Sequence, residues 1–346
     1  MRVATKPDTL QERLALAVGV VPTPLLETLE AMAMARTIMA GVSLGIFDAL
    51  AEKADTADGL SRRLKLDPQG ADILMVALHA LGYVDQRAGK FRNAAAVERF
   101  VLSDSPQTLR AYLGPFNGDM WDEFSQVERA LRSGETTGLH ERPPGDPYWE
   151  RYMRGLFDLT RLAGDDVAKL IPARDARSML DLAGGHGGYA IAMCRRHPEL
   201  RVTIVELEGA ARVGREIVAE QGMSDRIEFV VADMFEADLG DGHDVVSAFQ
   251  IVHHFDEDRN VELLSRAREA LRPGGTVAVL EQERPPAGDR GSTIGALTGL
   301  LFFVTSRART YTAEELVTFV EAAGFDRVRT RRSPRLPGHV LVTGRA

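Results

Sequence analysis

A glycine-rich loop carries the clearest chemical signal in the sequence. The segment Asp181-Leu182-Ala183-Gly184-Gly185-His186-Gly187-Gly188 follows a short apolar run and opens a helical pattern. Glycines at such a strand-to-helix turn allow tight curvature and let a ligand approach the backbone closely. The segment therefore predicts a nucleotide or nucleoside site.

Three carboxylates indicate which kind of nucleoside binds there. Asp181 precedes the glycines, Glu206 ends the next predicted strand, and Asp233 follows the third. Carboxylates accept hydrogen bonds from ribose hydroxyls or an adenine amine, and they disfavour the two negative charges of NAD. The set favours S-adenosylmethionine, because that molecule carries an ammonium and a sulfonium group.

Two adjacent histidines could supply a general base. His253 and His254 follow the fourth predicted strand, at the edge where doubly wound sheets bind ligands. Imidazole has an unperturbed pKa of about 6.5 and can remove a proton from a hydroxyl, a contribution usually worth about 10²–10⁴ in rate. Helical neighbours point about 100° apart and no third ligand is evident, so we predict no metal site.

Alternating strands and helices must position these residues. Strands are predicted over 178–183, 201–206, 227–231, 244–249 and 276–281, with helices between them. Two further strands, 327–332 and 339–343, are joined by a Pro/Gly turn. The pattern is typical of an α/β, doubly wound, Rossmann-like sheet of seven strands, and the short final connection predicts an antiparallel last strand.

The N-terminal third reads as a winged helix. Three helical patterns precede a hairpin signal around Arg87-Ala88-Gly89. The helix predicted over 68–81 contains no Lys or Arg, whereas a DNA-reading helix needs basic contacts to phosphates. We therefore favour a dimerisation or structural module, and a ligand-sensing winged-helix regulator is the alternative from another class.

Residues 116–170 are helical and rich in aromatic residues, and the turn-rich stretch 132–147 within them predicts an exposed loop. Aromatic residues at helical spacing either fill a core or line a site for a flat apolar substrate, and both interpretations stay open. The residues concerned are Trp121, Trp149, Tyr152, Met153 and Phe157.

Composition limits the remaining classes of protein. The chain has 346 residues, 45% of them hydrophobic, and a net charge of −8 that lies entirely after residue 115. We expect domains at 1–115, 116–170 and 171–346, and no nucleic-acid partner because no positive field is present. A single cysteine, Cys194, favours a reduced cytoplasmic setting, and the absence of a long uncharged apolar run argues against a membrane.

The motifs resemble, in order and spacing, the class I S-adenosylmethionine-dependent methyltransferases. They are LDLAGGHGGYAIAMCRRHPEL, VADMF, FQIVHHFDED, LRPGG and AAGF. More narrowly, the chain is similar to the small-molecule O-methyltransferases of plant phenolic and bacterial natural-product metabolism, which carry a winged-helix dimerisation domain. One departure is Ala183, where the family usually has glycine. Alanine should be tolerated there because the sequence shows no need for a positive φ.

The resemblance implies a homodimer that methylates a hydroxyl of a small aromatic or polyketide-like molecule and releases S-adenosyl-L-homocysteine. It makes His253 the base, with His254 as the alternative, and Glu281 the acid that orients the imidazole. The second flanking glutamate of the family falls near residues 309–311, where no acid occurs. Glu283 is either a substitute or a solvated loop charge.

Together these arguments predict the following site residues. The cofactor should contact Asp181, Gly184, Gly185, Gly187, Glu206, Asp233, Met234, Phe235 and Phe249. The binding site of the acceptor should be lined by Trp121, Trp149, Tyr152, Met153, Phe157, His254, Phe302 and Phe303. A C- or N-methyltransferase, or a non-methylating enzyme that binds the same cofactor, is the alternative within this fold.

Overall fold

The computed structural model describes residues 7, 9–286, 288 and 293–346. The chain divides into two compact units on either side of the bond between Gly118 and Asp119. The N-terminal unit is mainly helical and contains one hairpin. Its elements are α1 Leu10–Ala17, α2 Thr23–Ser43, α3 Ile46–Glu52, α4 Ala57–Leu64, α5 Pro68–Ala80, β1 Val84–Arg87, β2 Lys90–Asn93 and α6 Ala95–Phe100.

Local sequence explains the two central features of this unit. The Asp67 side chain caps α5 by accepting a hydrogen bond from the Gly70 amide at 2.7 Å, and Pro68 occupies the first helical position. Ala88 and Gly89 both have positive φ, +51° and +75°, as a two-residue turn between twisted strands requires. Helices followed by this wing confirm the predicted winged-helix arrangement.

The C-terminal unit is an α/β domain, and α7, Asn117–Phe124, spans the boundary between the units. Its other helices are α8 Val127–Ser133, α9 Tyr148–Leu170, α10 Gly188–Arg196, α11 Glu208–Glu220, α12 Glu257–Ala270, α13 Thr293–Ser306 and α14 Ala313–Ala322. Its strands are β3 Ser178–Leu182, β4 Arg201–Glu206, β5 Ile227–Val231, β6 His243–Phe249, β7 Leu271–Gln282, β8 Asp326–Arg331 and β9 His339–Arg345.

The seven strands form one sheet in the order β5-β4-β3-β6-β7-β9-β8. Strands β3 to β7 pair in parallel, and β9 is antiparallel to both β7 and β8. This confirms the predicted sheet and its antiparallel last strand. The strand order reverses at β3, so the loops after β3, β4 and β6 meet at the edge where such sheets bind ligands.

The core explains why this sheet forms. Strands β6, β7 and β9 are central and almost continuously apolar, and Val246, Val277 and Val342 are fully buried between the helical layers. The edge strand β8 instead carries Arg327, Arg329 and Arg331, a pattern that discourages pairing with another sheet. In the part of the chain that is described, no single helix is long and apolar enough to cross a membrane, and only the bent pair of α2 and α3 reaches that threshold together.

Candidate active site

The glycine loop lies between β3 and α10 and has little room for side chains. A Cβ on Gly184 would collide with the Asp181 carboxylate, and one on Gly187, which has φ +70°, would lie 2.8 Å from Val218. Ala183 also has a positive φ, +55°. The expectation that this position does not need glycine-like geometry is therefore wrong: the alanine is accommodated in a left-handed conformation that favours glycine.

Asp181 is buried at the end of β3. Its Oδ1 accepts a hydrogen bond at 2.5 Å from the hydroxyl of Ser247, which lies opposite it on β6. Burial raises the pKa of Asp181 to about 7, and the nearby Glu206 adds to the increase. A carboxylate desolvated in this way is stabilised by a cationic ligand.

Glu206 lies at the end of β4 and faces the glycine loop. Its Oε2 accepts a hydrogen bond from the Gly185 amide at 2.8 Å, and its Oε1 accepts one from the Leu207 amide at 2.7 Å. Burial nevertheless raises its pKa to about 7. Each carboxylate oxygen keeps a free lone pair, so the group can still accept hydrogen bonds from a bound diol.

The remaining predicted cofactor residues occupy the neighbouring loops. Asp233 is exposed after β5, where its Oδ1 accepts a hydrogen bond from the Phe235 amide at 2.8 Å. Phe235 packs edge-on against Phe255, and Met234 is half-buried beside it. Phe249 is buried at the end of β6 and meets the ring of Tyr189 at 5.0 Å.

A second pair of buried polar side chains is formed by His253 and Glu281. The Nδ1 atom of His253 is 2.9 Å from Oε2 of Glu281, which belongs to the adjacent strand β7. Phe302 of α13 stacks on the imidazole with its centroid 4.2 Å away. The contact with Glu281 sets the ring orientation and leaves Nε2 as the nitrogen available to a substrate.

No second acid lies against His253 at residues 309–311. There the Arg309 amide donates a hydrogen bond to the carbonyl of His253 at 3.0 Å, so this segment holds the backbone of the histidine. Glu283 instead forms a two-pronged ion pair with Arg332, at 2.5 and 2.7 Å. This ion pair matches neither interpretation of Glu283, because the carboxylate is held by Arg332 and is not a solvated loop charge.

Three side chains of α9 pack against the glycine loop or the start of α11. Trp149 packs on Gly209, whose Cβ would lie 2.5 Å from the indole, and its Nε1 donates to the carbonyls of Arg142 and Pro143. The Met153 sulfur would be 3.4 Å from a Cβ on Gly185. The ring centroids of Phe157 and His186 are 6.0 Å apart. Trp121 and Phe303 are half-buried on α7 and α13.

The sequence did not reveal the contacts that four side chains make in the candidate site. These side chains are His140, His186, Tyr189 and Ser247. The ring of His186 is buried and its Nδ1 accepts from the Gly188 amide at 2.9 Å, so the side chain caps α10. His140 lies in the segment predicted as an exposed loop. Its ring makes an edge contact with the ring of His254, and the two centroids are 4.9 Å apart. A short polar segment before an aromatic helix has no periodicity that could have revealed this contact.

The donor set fits a cationic nucleoside. Two buried carboxylates with raised pKa values flank the glycine loop, and His253 and Glu281 form a second buried polar pair. Such a site suits S-adenosylmethionine better than a pyrophosphate. The three imidazoles of His140, His253 and His254 do not form a metal site, and no other group of side chains among the described residues does so.

Comparison with known proteins gives consistent results. The profile of the O-methyltransferase domain matches residues 138–326, and that of the O-methyltransferase dimerisation domain matches residues 26–103. The chain is 30% identical over 328 residues to 3-hydroxy-5-methyl-1-naphthoate 3-O-methyltransferase from Streptomyces sahachiroi, covering 93% of this chain and 95% of that protein. It is 29% identical over 333 residues to acetylserotonin O-methyltransferase from Mus musculus, covering 90% and 85%.

A solved structure extends the likeness to the fold. Human N-acetylserotonin methyltransferase, in complex with SAM, superposes with a TM-score of 0.83 and covers 99% of each chain. The identity is 18%, so this comparison concerns the fold alone. The two sequence profiles and the relative that is 30% identical assign the chain to a family.

Proposed function

The chain belongs to the S-adenosylmethionine-dependent small-molecule O-methyltransferases, and from this premise we propose that it methylates a hydroxyl on an aromatic or polyketide-like molecule with His253 as general base. The relative from Streptomyces sahachiroi is named for a hydroxynaphthoate, which supports an aromatic acceptor. The contact between His253 and Glu281 carries the proposal, because it joins a base to an orienting acid.

The chain's residues have separate roles in this proposal. S-adenosylmethionine, when bound, supplies a methyl group activated by its sulfonium. Asp181, Glu206 and Asp233, with the backbone around Gly185, hold that cofactor. Nε2 of His253 takes the proton from the acceptor hydroxyl, and Glu281 stabilises the resulting imidazolium through Nδ1. Phe302 covers the ring and keeps water away from it.

Substitution of His253 tests the base. We expect His253→Ala to lower kcat by about 10²-fold or more, with the affinity for S-adenosylhomocysteine unchanged, because the base contributes about 10²–10⁴ in rate. Glu281→Gln should lower kcat less and should shift the pH profile, since an amide cannot stabilise the imidazolium. Methyl transfer to candidate phenols is measured with a labelled methyl donor.

His254→Ala is the comparison for the alternative base. It should leave a measurable rate whose pH dependence is like that of the unsubstituted protein. An unchanged rate in His253→Ala would refute the role of His253 as base, whereas failure of S-adenosylmethionine to bind in calorimetry would refute the cofactor.

The missing second acid favours one further candidate, a C-methylating or non-methylating enzyme of the same fold. With only Glu281 beside His253, the imidazolium has one carboxylate to stabilise it. Formation of S-adenosylhomocysteine during turnover excludes a non-methylating reaction, and mass spectrometry of the product locates the methyl group on oxygen or carbon.

A further inference from the structure

Two imidazoles beside the base have ring nitrogens with no hydrogen-bond partner in the described part of the chain. His254 is the residue after His253, and its ring centroid lies 4.3 Å from the base. His140, from the segment between α8 and α9, meets His254 at 4.9 Å with the rings at 89°. Both side chains are half-buried, so their nitrogens can reach a bound molecule but are poorly hydrated.

Both rings are uncharged near neutral pH. Burial, together with the smaller effect of the nearby His253, lowers the pKa of His140 to about 4 and that of His254 to about 2. A neutral imidazole has one N–H donor and one acceptor nitrogen. The pair can therefore donate a hydrogen bond to an oxygen and accept one from a hydroxyl, without requiring a charged ligand.

The surroundings of the pair are aromatic. The Tyr152 ring lies 5.4 Å from His140 and Trp149 lies 6.4 Å away, while Phe302 stacks on His253. Such surfaces accept a flat ring, and within them a polar group without a partner is costly. The arrangement selects a flat ligand that brings polar atoms to this one place.

We propose that His140 and His254 bind a second oxygen of the acceptor, next to the hydroxyl that His253 deprotonates. The two oxygens of an ortho or peri pair on an aromatic ring are about one hydrogen bond apart, so an oxygen at His253 places its neighbour at His254 and His140. The acceptor class is then aromatic hydroxy compounds with an adjacent hydroxyl, carbonyl or carboxylate. This rests on the proposed O-methylation, and His140 acts as a specificity-determining residue.

Matched ligands test the proposal. The protein is saturated with S-adenosylhomocysteine and titrated by calorimetry with 2,3-dihydroxynaphthalene and with 2-naphthol, which lacks the adjacent oxygen. The first should bind at least about tenfold more tightly, because a site built to hydrogen-bond a hydroxyl discriminates against an analogue without it.

Two variants assign that preference to His140. His140→Phe keeps a flat ring without hydrogen-bonding atoms and should reduce the preference to below about threefold. His140→Gln keeps a donor and an acceptor and should retain most of it. The affinity for S-adenosylhomocysteine shows that each variant is folded, since His140 lies outside the glycine loop.

Three results would overturn the inference: equal binding of both naphthols, no binding of either, or a preference that survives in His140→Phe. The measurement follows binding only, so it is separate from the proposed function. An enzyme that methylates oxygen and keeps its preference for paired oxygens in His140→Phe would refute this inference alone, whereas an enzyme that prefers paired oxygens but methylates carbon would refute the proposed function alone.

Discussion

At the scale of single residues, the carboxyl of Asp181, which we propose binds the cofactor, lowers the stability of the folded protein. Its pKa is about 3.8 when unperturbed and about 7 in the folded protein, because burial disfavours the charged form. At a pH between these two pKa values, Asp181 is ionised in the unfolded chain and still protonated in the folded chain. Stability without cofactor therefore falls as the pH rises from about 4 to about 7, and the loss persists above that range.

Asp181→Asn should therefore raise the free energy of unfolding and lower the affinity for S-adenosylmethionine. The variant cannot ionise, so at pH 8 its free energy of unfolding should exceed that of the unsubstituted protein by at least about 1 kcal/mol, and at pH 4 it should show no such gain. Its affinity for S-adenosylmethionine should fall at least tenfold. Urea denaturation at the two pH values and calorimetry measure the two effects.

The control for Asp181→Asn is Asp233→Asn, which changes an exposed carboxylate in the same site. It should not reproduce the gain in stability at pH 8, because it removes no buried charge. If Asp181→Asn were less stable than the unsubstituted protein at pH 8, burial of the charge would not be the dominant effect at this position.

At the scale of elements, the turn from β3 into α10 stores backbone strain at Ala183. A non-glycine residue with φ +55° costs about 1–2 kcal/mol, while glycine adds about 0.4–1 kcal/mol of entropy to the unfolded state. Ala183→Gly should therefore stabilise the protein by about 0.5 kcal/mol, measured by urea denaturation.

Ala323→Gly is the control for the turn, because Ala323 has φ −74° at the end of α14 and gains nothing from glycine. It should lower stability. Loss of stability in Ala183→Gly as well would show that the methyl group of Ala183 contributes more to packing than the positive φ costs.

At the scale of the whole molecule, apolar side chains are exposed on the helices of the N-terminal unit. Leu25, Leu29 and Met32 of α2 are 61%, 56% and 51% exposed, and Ile73 and Val76 of α5 are 61% and 59% exposed. The match to the dimerisation domain, residues 26–103, includes α5 and all of α2 except its first three residues. Surfaces of this kind are typical of association between subunits, so we expect a homodimer that buries them.

One charge on α2 should separate the subunits. We expect Leu29→Glu to sediment as a monomer at concentrations where the unsubstituted protein is a dimer, because a buried unpaired carboxylate is strongly unfavourable at an interface. Leu131→Glu changes a leucine of α8 that is 59% exposed in the catalytic unit, and it should remain dimeric. A dimeric Leu29→Glu would place the interface elsewhere.

Much of this architecture follows from local sequence. The periodicity predicts β4 and β5 with their observed bounds and most other strands to within one residue, because apolar strands and capped helices are encoded by neighbouring residues. Strand β9 ends two residues after its predicted end. Strand β7 departs most: it begins at Leu271, five residues before the prediction, and its register with β6 shifts between His243 and Val245. Pro273 and the glycines after it mark a turn locally, and only pairing with β6 extends the strand across them.

The sequence by itself determined the fold class and indicated the methyl donor, since both depend on residue types at fixed spacing, and the family resemblance pointed to the contact between His253 and Glu281. Tertiary structure alone decided that Ala183 is left-handed, that Ser247 holds Asp181, and that His140 reaches His254 across 114 residues of chain. Contacts between distant segments depend on how the elements pack, and no local pattern encodes them. The proposed acceptor side of the site depends on such contacts, so it could be inferred only from the three-dimensional structure.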